Sequence, residues 1–101
     1  MAQFSFAAGG ISQAVRHRQV EELWYVLAGE AEIWRQASGL EGEVLALGPG
    51  SSLVIPPGCA FQVKVSAAES LEVVAVTIPP WPGDEEAEQV AGIWDAASAA
   101  D

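Results

Sequence analysis

At 101 residues, half of them hydrophobic and 18% charged, the chain is too apolar to be disordered and has the size of one domain around one core. Four Lys and Arg against fourteen Asp and Glu give a formal net charge of −10, which repels phosphate backbones and anionic headgroups and so argues against nucleic-acid and membrane partners. Lone Cys59 rules out an intramolecular disulfide.

The longest apolar stretch, Leu71 to Pro80, is interrupted by Glu72 and Thr77 and falls short of the ~20 residues that a spanning helix needs. Met1 to Gly10 has no basic region leading into a long apolar run, so no signal peptide and a cytoplasmic location are expected.

In chain order, β-rich runs are predicted at Phe4–Phe6, Ile11–His17, Glu22–Leu27, Ala31–Arg35, Val44–Leu47, Leu53–Ile55, Phe61–Val65 and Leu71–Ile78. Turn signals separate them: Gly9-Gly10, Ala28-Gly29, Ser38-Gly39, Gly48-Pro49-Gly50, Pro56-Pro57-Gly58 and Pro79-Pro80-Trp81-Pro82-Gly83. Many short, evenly spaced strands predict an all-β sandwich or barrel over residues 1–83. Residues 84–101 form an acidic segment, expected as one short helix over 85–97 or as an extended tail. Val90, Ile93 and Trp94 fall at helical spacing, which would let such a helix cover an apolar patch, with fraying from Ala96 onward.

Glu22–Leu27 and Glu30–Arg35 flank Ala28-Gly29 and suggest a two-residue hairpin. That register would set Trp24 opposite Ile33 and Glu22 opposite Arg35, on one face. Alternation also points Val15, His17, Phe61, Val63 and Val65 inward, with Arg16, Gln62 and Lys64 toward solvent. Trp34 would lie outside with Leu23 and Tyr25, under a dimer partner or the segment carrying Trp94. Trp81, set among prolines, is expected to pack over a barrel end. Cys59 has no evident cation beside it and is read as an inert thiol.

Residues 15–29, Val15-Arg-His17-Arg-Gln-Val-Glu-Glu22-Leu-Trp-Tyr-Val-Leu-Ala-Gly29, resemble the first motif of the cupins, in which two histidines one residue apart precede a glutamate and a glycine. His17, Glu22 and Gly29 match, while Val15 stands where the first histidine belongs. Residues 50–61, Gly50 through Pro56-Pro-Gly58 to Phe61, resemble the second motif, with Phe61 in place of its histidine. The tail Pro79-Pro-Trp-Pro-Gly83 is similar to that of small bacterial single-domain cupins. The resemblance implies a double-stranded β-helix (jelly-roll barrel) that forms a homodimer, and a divalent metal held by three histidines and the glutamate.

This chain supplies two of those four ligands and contains no other histidine. No resident cofactor is therefore expected, and any metal would rest on His17 and Glu22 alone. Without a metal, a carboxylate facing an apolar interior must find a cation or a proton, and Arg35 is the predicted neighbour. Three functions follow. The chain is a noncatalytic module binding a small polar or planar molecule through His17, Glu22, Trp24, Arg35 and Phe61; or an isomerase- or dioxygenase-type enzyme using His17 and Glu22 with a metal or as acid and base; or a structural dimer whose interior is filled.

Overall fold

The computed structural model describes residues 1–97. Its strands are β1 (Ala2–Phe6), β2 (Val15–His17), β3 (Glu21–Ala28), β4 (Ala31–Gln36), β5 (Glu43–Leu47), β6 (Ser52–Ile55), β7 (Ala60–Val65), β8 (Leu71–Ile78) and β9 (Ala87–Gln89), with a 3₁₀ turn at Asp84–Glu86. All pairings are antiparallel. One sheet runs β1-β8-β3-β6 and the other β5-β4-β7-β2-β9, facing each other as a double-stranded β-helix. Each run predicted from alternation and turn residues becomes a strand, although Ile11–His17 shortens to Val15–His17 plus an isolated bridge at Ile11.

The expected hairpin does not form. β3 lies between β8 and β6, whereas β4 lies in the opposite sheet between β5 and β7. Both strands alternate, so each has an apolar face: Trp24 and Val26 on β3, Ala31 and Ile33 on β4. Side by side, those faces would form one floor still needing a cover; placed across the barrel, they cover each other. The chain crosses between sheets at Gly29, which has φ +88° and lies so close to the Ser70 carbonyl and Leu71 backbone that a Cβ would collide with them. The core joins Trp24, Val26, Ile33, Ile55, Val63, Leu71 and Val73 from both sheets. Each such side chain contributes roughly 1.5–3 kcal/mol on full burial.

After the 3₁₀ turn at Asp84–Glu86, residues 87–97 are not helical. Glu86 accepts hydrogen bonds from the backbone N–H groups of Gln19 (2.6 Å) and Val20 (2.9 Å), and β9 then pairs with β2 as an edge strand of the five-stranded sheet. β9 thus continues the five-stranded sheet through Gln89. Beyond it the chain is irregular, bending at Ile93 and Trp94, until Ala97 bridges Ile11; the rest of the fraying expected from Ala96 falls on residues 98–101, outside the described residues. Among the described residues no helix is long and apolar enough to cross a membrane.

Gln62 explains this path. Its side chain points out of the barrel as alternation requires, yet it is 1% exposed. Its Oε1 accepts from the N–H groups of Ile93 and Trp94, and its Nε2 donates to the carbonyls of Ser12 and Trp94. A helix would keep those backbone groups for itself; a strap without helical bonding offers them to the amide. Gly92 permits the approach, because a Cβ there would strike Gln62 Oε1. Trp34 lies beside Gln62 on this outer face, against Gly42, whereas Leu23 and Tyr25 occupy the outer face of the other sheet. Replacing Gln62 with Leu strands several buried backbone groups and is expected to cost about 2–4 kcal/mol in urea unfolding, while Lys64→Ala on the same strand stays within about 0.5 kcal/mol.

Candidate ligand pocket

β2 and β3 meet at one end of the barrel from opposite sheets, joined by residues 18–20. That loop is clamped by the C-terminal strap: besides the Glu86 carboxylate bonds, Arg18 N–H donates to the Glu86 carbonyl (3.0 Å) and Arg18 Nε to the Glu85 carbonyl (2.7 Å). Burial alone would raise the Glu86 pKa, but the N–H groups of Gln19, Val20 and Arg18 and the nearby His17 together hold it below the usual carboxylate value. The clamp fixes the ends of β2 and β3, and with them His17 and Glu22.

His17 and Glu22 are 4% and 8% exposed, with Nδ1 of the imidazole 3.3 Å from Glu22 Oε2. The angle does not make a hydrogen bond, and Nδ1 is buried without a partner. The other carboxylate oxygen, Oε1, accepts the indole N–H of Trp24 at 2.7 Å. The His17 ring stands edge-to-face with Phe61 (5.3 Å between centroids) and with Trp81 (5.0 Å). Trp24 is perpendicular to Phe61 at 6.0 Å and tilted against Phe6 at 5.7 Å. These side chains line a cavity of about 730 Å³ between the sheets, which β1 borders through Phe4 and Phe6. Trp24 and Phe61 are walls of this space and do not plug it, so the filled interior weighed from the sequence is not what the barrel contains.

Of the residues singled out in the sequence, His17, Glu22, Trp24 and Phe61 come together on this cavity and Arg35 does not. Because β3 and β4 are unpaired, Glu22 lies beside Ile55 and Thr77, and Arg35 beside Glu43 and Phe61. Arg35 Nε binds Glu43 Oε1 (2.7 Å) and its Nη1 donates to the Val54 carbonyl (2.8 Å), tying the two sheets together. The predicted Glu22–Arg35 pair is thus replaced by Arg35–Glu43. Burial, only partly offset by Arg35, pushes the Cys59 thiol up, in keeping with an inert cysteine.

Sequence reasoning missed Phe4 and Phe6, although their alternation with Ser5 carried the signal. It also missed Glu86, which nothing in the acidic run distinguishes from its neighbours.

A resident divalent metal does not fit these residues. One imidazole and one carboxylate, the latter already bound to an indole N–H, fall short of the usual set of about three protein ligands. Among the described residues no three His, Cys, Asp or Glu side chains gather in a metal-binding group. Val15 and Phe61, at the two matching histidine positions, face each other as cross-strand partners and present only hydrocarbon.

A search of curated proteins found no match. Among solved structures, Peruvianin-I, a cysteine peptidase from Thevetia peruviana latex, superposes with a TM-score of 0.76 at 20% identity over 90% of this chain and 55% of its own. A conserved protein with a double-stranded β-helix domain from Klebsiella pneumoniae gives 0.70 at 23% identity, over 89% of this chain and 72% of that one. A mutant of Bacillus subtilis oxalate decarboxylase gives 0.74 at 18% identity, over 82% of this chain and 22% of the enzyme. The chain thus spans little more than half of the first of these, and at such identities the likeness is one of fold. The family model described as cupin domain matches residues 2–77, three-quarters of the sequence, and the chain belongs to the cupin family.

Proposed function

We propose that this cupin is a noncatalytic module that binds a small molecule between its sheets. The observation that carries the reading is the cavity of about 730 Å³, walled by aromatic side chains with His17 and Glu22 converging at one end. A ligand site is commonly of this kind: mostly apolar, with a few polar groups that orient the guest. The fold leaves the question open, since cupins include oxalate decarboxylase as well as proteins of other kinds. The reading therefore rests on the side chains.

The alternative is an isomerase- or dioxygenase-type enzyme using His17 and Glu22 with a metal or as acid and base. Their 3.3 Å separation supports it, because proton transfer needs two such groups within reach of one substrate. Against it, both are nine-tenths buried, and Glu22 is already engaged by Trp24.

A second copy of the chain is proposed as its partner in the cell, through the outer face of the four-stranded sheet. There Leu23, Tyr25, Val54, Val74 and Val76 form an apolar patch, with Tyr25 and Val54 half exposed and Glu21 and Glu72 at its ends. A second copy that meets this patch buries Tyr25 and Val54 against apolar side chains. Sedimentation should give a dimer that Tyr25→Glu converts to monomer; a wild-type monomer at micromolar concentration contradicts it.

The cavity is tested with the neutral fluorophore N-phenyl-1-naphthylamine. Wild type should bind it saturably. Thr77→Phe, which fills the space beside Glu22, should lose most of that signal at an unchanged melting temperature, and equal fluorescence from the two proteins contradicts a binding cavity. Protein purified without chelator or metal-affinity resin should carry substoichiometric metal and melt at the same temperature in EDTA. Stoichiometric metal that disappears in His17→Ala overturns the metal-free reading.

A further inference from the structure

We propose that the ligand is an organic cation, carrying a methylated or otherwise substituted ammonium group that the aromatic walls enclose and Glu22 balances in charge. The inference rests on the cavity being a ligand site and adds the charge class of its occupant.

The first support is where the positive charges lie. Arg16 and Arg18 are held by Glu88, Arg35 by Glu43, and the Lys64 ammonium lies 5.9 Å from the Trp94 ring centroid. These four are all the Lys and Arg in the chain, and none lines the cavity. No lining residue brings a guanidinium or ammonium side chain, although Met1, which carries an α-amino group in this sequence, is among them. Among the described residues, the ionisable side chains on the cavity wall are His17 and Glu22.

The second support is the state of Glu22. Among the described residues Trp24 supplies its one hydrogen bond, to Oε1, while Oε2 lies 3.3 Å from an imidazole nitrogen too badly angled to bond. A buried carboxylate that accepts one hydrogen bond retains most of its accepting capacity, and Oε2 keeps it for a guest beside His17.

Ring geometry supplies the third. The rings here meet at interplanar angles of 88° for Trp24 and Phe61, 83° for His17 and Phe61, and 77° for His17 and Trp81. Walls at right angles enclose a compact, three-dimensional guest. Ring faces carry negative electrostatic potential, and a desolvated ammonium among them gains on the order of 2 kcal/mol per good contact. The net charge of −10 draws such ions toward the protein and turns anions away.

The test is calorimetric titration of the whole chain with choline and benzyltrimethylammonium, against 3,3-dimethylbutan-1-ol, the neutral carbon isostere of choline, and 3,3-dimethylbutanoate, a related anion. The cations should bind about tenfold or more tightly than the neutral alcohol, and the anion not measurably. Glu22→Gln, which keeps an acceptor for Trp24, should weaken the cations about tenfold and leave the alcohol unchanged. Trp81→Ala, at an exposed position that the core does not need, should weaken the cations about fivefold. If the alcohol binds as well as choline, or Glu22→Gln leaves choline unaffected, the charge assignment is wrong while the cavity remains a binding site. If no cation binds although N-phenyl-1-naphthylamine still does, the charge assignment is likewise overturned. If neither cations nor the neutral fluorophore bind, both this inference and the reading beneath it fall.

Discussion

The placement of β3 and β4 in opposite sheets is the constraint on which the site depends. Because the chain crosses at Gly29, the apolar faces of the two strands look at each other across the barrel. Glu22 and Trp24 then belong to one wall, His17 and Phe61 to the other, and the space between them is the cavity. Had the two strands paired, Arg35 would have been carried to Glu22. Crossing sends Arg35 to Glu43 instead and leaves Glu22 with an indole N–H and a misaligned imidazole.

The C-terminal strap serves the same end. Glu86 fastens the loop between His17 and Glu22, while the Gln62 amide holds the backbone at Trp94 against the outer face of the five-stranded sheet. Glu86 binds backbone N–H groups of that loop, and Gln62 binds backbone groups that the strap leaves free. One sheet is thereby covered from outside, and the other keeps its apolar face. Trp81, on the segment leading into the strap, lies over His17 where β2 enters the cavity wall.

Much of this was legible in the residues. Alternation and glycine-proline punctuation located eight strands, and the motif around His17, Glu22 and Gly29 pointed to the fold. Inward parity at Phe61, Val63 and Trp24 was also readable. Strand partnership was not: a Gly after a strand permits a hairpin and a crossing alike, and the choice depends on which apolar faces cover each other. The strap was misread because Val90, Ile93 and Trp94 have helical spacing, while the acceptor that decides their conformation is Gln62, about 30 residues earlier in the sequence. Glu86 was hidden for the same reason, since its donors belong to a loop almost at the other end of the chain.

The account turns on Glu22 having no cationic partner in Arg35. A double-mutant cycle on folding stability between Glu22→Gln and Arg35→Ala measures this directly. Residues that share no contact should give effects that add to within about 0.5 kcal/mol. A coupling energy above about 1 kcal/mol would mean that the two side chains interact, and that the carboxylate in the cavity is already neutralised from within.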